Sequence, residues 1–140
     1  MSKPATYAAV LVVHPTTGDV LVRRWPNGQA DLPGAVALST IPQRAVARDA
    51  LRAAVRSVAA VDIPIGVAAV KHSPQHASDT RKVFWPLLWQ PGWELAPDSG
   101  CEWVSRYDLP AVLLWPWRAV SLATIARGVL DDAKRRARAA

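Results

Sequence analysis

The sequence predicts an α/β (α+β) fold, an α/β/α sandwich around a mixed β-sheet. Three observations lead there. Two apolar, β-branched runs, residues 7–13 and 20–25, flank the turn Pro15-Thr16-Thr17-Gly18-Asp19 and read as a hairpin. Residues 42–60 and 118–139 carry helical periodicity. The other apolar runs fall between these helices without strict strand–helix alternation, which favours a mixed sheet covered by helices.

The elements follow in order. Pro26-Asn27-Gly28 breaks the second strand, and residues 32–38 form a short extended piece carrying Leu32-Pro33-Gly34. Pro42 suits the first position of a helix, with Thr40 as a candidate cap. Ala47, Ala50, Leu51, Ala54, Val55 and Val58 give that helix an apolar face. Arg44, Arg48, Arg52 and Arg56, four apart, form an opposing stripe expected to be solvated. Residues 65–71 read as a strand and residues 72–81 as a polar loop. Residues 82–90 read as a strand that Pro86 demotes to an edge or a bulge. Pro91-Gly92 turns the chain, residues 102–105 form a short strand, and Asp108-Leu109-Pro110 opens a turn before the closing helix, where Gly128 is a weak point.

At 140 residues the chain reads as one domain, 1–140, large enough for a core. Its 51% hydrophobic and 20% charged content excludes a disordered chain. The single cysteine, Cys101, rules out an internal disulfide and fits a reducing, cytoplasmic setting. The early apolar run is too short to span a membrane, so no membrane partner is expected. The net charge of +6 favours anionic partners. Much of it sits at Lys134, Arg135, Arg136 and Arg138, where cations suit a helix C-terminus, and no specific nucleic-acid module is visible. Six of the seven tryptophans lie in the second half, which suits core packing with one or two left to wall a pocket or a homodimer contact.

The order strand, turn, strand, Gly28, Leu32-Pro33-Gly34 and helix, closed by Glu102-Trp103-Val104, Asp108-Leu109-Pro110 and a final helix, resembles the Nudix hydrolase family over nearly the whole chain. The resemblance implies a Nudix-like fold and, ordinarily, a magnesium site made by glutamates on the helix after Pro-Gly. Laid without gaps from Ala35, the family signature puts its first glutamate on Ile41, its Arg-Glu pair on Asp49-Ala50 and its Glu-Glu pair on Ala53-Ala54. A register one residue earlier recovers Arg48-Asp49 but puts Arg52 and Ala53 at the Glu-Glu pair. Carboxylates four apart on a helix share a face and can grip one cation, whereas alanine offers no oxygen. The box is therefore degenerate. No metal and no cofactor is expected there, and the cleft should be roomier and less polar than the family's.

Outside the box the polar candidates are few. Arg23 and Arg24 end the second strand and alternate in face, so one can meet an anionic ligand. Trp25, Trp85 and Trp103 are candidate walls for a flat ligand. His72, His76 and Glu102 are candidate acid–base groups, with Asp31 and Asp79 as further lone acids. Cys101 has no neighbour in sequence that would activate it. The leading expectation is a Nudix-fold protein that binds a small aromatic or nucleotide-like molecule and handles it without metal. Two alternatives stay open: a divergent magnesium-dependent hydrolase recruiting Asp49, Asp79 or Glu102, and a non-enzymatic sensor or interaction module.

Overall fold

Strand β1 (Thr6–Val13) is buried almost end to end, because both of its faces are covered. The computed structural model, which describes residues 5–38, 40–72, 81–113 and 119–139, shows what covers them. Tyr7, Ala9, Leu11 and Val13 pack under a short helix α2 (Leu109–Val112) and the long helix α3 (Ala119–Ala139), against Leu109, Leu122, Ala126 and Leu130. Ala8, Val10 and Val12 pack under helix α1 (Gln43–Ala54), against Ala47, Leu51 and Ala54. The result is the expected α/β/α sandwich. No helix is long and apolar enough to cross a membrane, among the described residues.

The sheet is mixed. β1 pairs antiparallel with β2 (Val20–Arg24) and with β4 (Gly34–Ala37), and parallel with β7 (Arg81–Leu88). β3 (Ala30–Asp31) and β9 (Cys101–Val104) pair with β2, while β6 (Val70–His72) pairs with β7. A separate pair joins β5 (Val55–Arg56) to β8 (Glu94–Leu95). Gly34 is needed for this register, since a Cβ there would lie 2.4 Å from the Ala8 carbonyl oxygen and 2.7 Å from the Ala9 Cβ.

β7 is an interior strand despite Pro86. The amides of Arg81 and Trp89 donate to the carbonyls of Ala5 and Val13 at the ends of β1, so the alternating position 86 faces the other way. On that side the β6 ladder ends at the Val70–Phe84 pair, and no hydrogen bond is lost. Three other expectations are corrected. The helix stops at Ala54, because Val55 turns extended and pairs with Leu95 in β8. Thr40 does not cap it; Pro42 occupies the N-cap without a side-chain hydrogen bond. The strand expected over 65–71 shrinks to Val70–His72, since Pro64 and Gly66 (φ +89°) turn the chain ahead of it.

The arginine stripe is a clamp as well as a surface. Arg44 donates to the carbonyls of Ile63 (3.1 Å) and Val67 (3.2 Å), and Arg52 donates to that of Val61 (2.8 Å). Residues 61–67 have no sheet to satisfy these carbonyls, so the helix supplies the donors.

On the α3 side of the sheet, Lys82 and Asp31 form a buried ion pair, with Lys82 Nζ also 5.3 Å from the centre of the Tyr7 ring. Tyr7 donates to the Leu32 carbonyl (2.7 Å), and the Leu32 amide donates to Asp31 (2.7 Å). Burial pushes the Asp31 carboxyl up, with Lys82 and the Leu32 amide opposing it, and pushes Lys82 down, with Asp31 opposing. These bonds fix the turn that leads into Pro33 and Gly34.

Candidate functional site

A pocket of about 220 Å³ opens beside the second half of α1. Four segments build it. The helix contributes Ala50, Ala53 and Ala54, and the turn ahead of β4 contributes Pro33 and Gly34. The end of β2 adds Arg23, and the loop entering β9 adds Pro97, Asp98, Ser99 and Cys101.

Each segment is tied down. The Pro33 carbonyl accepts from the Val10 amide (3.0 Å), and the Ala54 carbonyl accepts from the Ala96 amide (2.9 Å), joining the helix to the loop. The Arg24 amide donates to the Gly100 carbonyl (2.8 Å), and the register sets Arg23 opposite Cys101. Gly100 lies at φ +72°, and a Cβ on it would come within 2.8 Å of the Arg24 carbonyl oxygen, so the loop closes on β2 only because this residue is glycine. Ser99 Oγ accepts from the Cys101 amide at 3.3 Å.

The two adjacent arginines have different surroundings. Arg24 donates to Glu102 Oε1 from Nε (2.8 Å) and Nη2 (2.5 Å). The Arg23 guanidinium engages no described residue by hydrogen bond or ion pair; it lies 5.7 Å from the centre of the Trp25 ring and lines the pocket. The Cys101 thiol is half-buried, and desolvation pushes it up, against its hydrogen bond to Ser99 and the charge of Arg23.

The residues singled out from sequence divide accordingly. Arg23, Ala50, Ala53 and Ala54 come together at the pocket. Arg24 and Glu102 pair with each other in line with Val22, whose side chain belongs to the α3-side core. Trp85 is buried in the α1-side core, and Trp103 packs against that core edge-on to His14 (5.0 Å) and Trp89 (5.2 Å). Ala35, Ile41 and Asp49 are exposed and do not line the pocket. His72 ends β6, away from the pocket lining; His76 and Asp79 lie outside the described residues. The loop 97–101 was missed as a wall. Its only sequence signal is the turn composition Pro97-Asp98-Ser99-Gly100, which says nothing about its neighbour.

The lining offers one carboxylate, Asp98, and among the described residues no group of three His, Cys, Asp or Glu side chains stands close enough to hold a metal ion.

No family model matches the chain, and no curated protein matches it in sequence. Solved structures do match. The MutT protein from Methanosarcina mazei Go1 superposes with a TM-score of 0.57 at 14% identity, covering 91% of this chain and 97% of its own. An Ap4A hydrolase from C. elegans gives 0.58 at 10% identity, covering 91% and 98%. A Nudix hydrolase from M. smegmatis, RenU, gives 0.53 at 19% identity, covering 94% and 87%. At such identities the likeness speaks for architecture, and in architecture this chain has the Nudix-like fold.

Proposed function

We propose that this Nudix-fold protein binds a small molecule in the pocket beside α1, and that any reaction there proceeds without a divalent metal. The observation that carries this reading is the meeting of Ala50, Ala53 and Ala54 with an unneutralised arginine, Arg23. A magnesium ion needs several hard oxygen ligands in near-octahedral order. This donor set does not fit one: a single carboxylate stands against three methyl groups, and a guanidinium in the same lining repels a cation.

What the residues present can do is hold and orient. Arg23 provides five N–H donors for an anionic group, the alanines provide an apolar surface, and Ser99 adds a hydroxyl. The Cys101 thiol commits its one donor to the Ser99 carbonyl, and desolvation favours its protonated form, so it is a poor nucleophile. This supports recognition of a small aromatic or nucleotide-like molecule through an anionic end.

A second reading, a divergent magnesium-dependent hydrolase, is favoured by the similar structures described above, an Ap4A hydrolase and a Nudix hydrolase among them. A panel of nucleoside di- and triphosphates and dinucleoside polyphosphates decides between the two. The metal-free reading expects no magnesium-stimulated turnover; release of phosphate or pyrophosphate that a chelator abolishes would establish the second.

A further inference from the structure

Within the pocket, charge and size narrow the ligand further than metal independence does. Arg23 is half-buried, with its donors uncommitted to the described protein, whereas the neighbouring Arg24 is satisfied by Glu102. A guanidinium binds a carboxylate through two parallel N–H···O bonds, a geometry that suits a planar anion on one wall. Opposite charge is also present, since Asp98 lines the same pocket without pairing to Arg23. Asp98 cancels the charge of Arg23 across the lining as a whole, so a ligand gains from the one charge it places on the guanidinium and nothing from further negative charge. The volume, about 220 Å³ in a partly open pocket, lies below the range of pockets that enclose drug-sized ligands and suits a small one. Ala50, Ala53, Ala54 and Pro33 ask for an apolar body beside the anionic end.

We propose that this pocket binds a small organic monocarboxylate, its carboxylate on Arg23 and its apolar body on the alanine face of α1, in preference to inorganic pyrophosphate. The inference rests on the metal-free reading above.

The test is amide chemical-shift titration of the full chain with benzoate, butyrate and pyrophosphate, the last with and without magnesium. Benzoate is expected to saturate shifts at Arg23, Ala50, Ala53 and Cys101, and to bind more tightly than pyrophosphate. Arg23→Met should weaken benzoate by about tenfold or more, as loss of a charge-assisted pair does. Arg23→Lys, which keeps the charge and loses the fork, should fall between. The Arg23 side chain makes no hydrogen bond to a described residue, so both variants should keep the native fold and its overall spectrum. The inference is overturned if neither carboxylate shifts these amides, if Arg23→Met leaves the benzoate affinity unchanged, or if pyrophosphate binds more tightly without metal. Pyrophosphate binding that appears only with magnesium would overturn the metal-free reading as well; failure of the carboxylates with no effect of magnesium would sink this inference alone.

Discussion

Lys82 Nζ lies 2.5 Å from Asp31 Oδ2 in the interior of the sheet, with both side chains 8% exposed. The pair sits one residue from the turn that supplies Pro33 and Gly34 to the pocket, and Asp31 also accepts from the Leu32 amide. It therefore connects the centre of the sheet to the wall of the site.

Removing one partner should cost far more than the pair contributes, because the other charge is left buried. Lys82→Met is expected to destabilise the fold by about 3–5 kcal/mol near neutral pH. Asp31 already has a raised carboxyl, so its ionised form is disfavoured in the folded state. Its contribution to stability is full below the unfolded value and is lost as pH rises through the folded one. Without Lys82 that folded value rises further. Urea unfolding should therefore show a larger loss at about pH 8 than at about pH 5, because acid moves Asp31 toward its neutral form. Equal losses at the two pH values would contradict this account.

Arg44 should matter to one segment more than to the whole. Its three carbonyl acceptors, Ile63, Pro64 and Val67, lie in a stretch outside the sheet. Arg44→Met is expected to cost about 1.5–3 kcal/mol, the range for hydrogen bonds to a charged donor. Amide exchange should quicken in residues 61–67 while β1 stays protected. Uniform quickening across the sheet would show that the clamp has no local role.

Cys101 should be a slow thiol. Desolvation raises its pKa above the ordinary thiol value, so the thiolate is scarce at neutral pH and grows as pH rises. Alkylation by iodoacetamide, followed by mass spectrometry, should climb through about pH 9 without reaching a plateau. A plateau below about pH 8 would mean an activated thiol and a different chemistry for the pocket.

Much of the architecture was legible in the sequence, for reasons that are local. β1 reads as a continuous apolar run because both its faces are covered, and Pro42 marks the helix start. The end of α1 was not legible. No glycine or proline follows Ala54, and the stop comes from pairing of Val55 with Leu95, forty residues on. The arginine stripe looked solvated because its acceptors are backbone carbonyls, which no side-chain pattern announces. At the pocket, the alanines and Arg23 could be read from the chain, but the far wall could not. Asp98 and Cys101 reach it through the contact of Gly100 with Arg24, a relation fixed by strand register.

The alanine-lined helix gives a divalent cation nothing to hold. Titration of freshly purified, chelator-free protein with manganese, read by the paramagnetic signal of the free ion, tests it most directly. Free manganese should rise in step with the total, with no saturable site on the native chain. Ala50→Glu combined with Ala53→Glu, which adds two carboxylates on one face beside Asp98, should create such a site. Stoichiometric, tight uptake of manganese by the unmodified protein would contradict it.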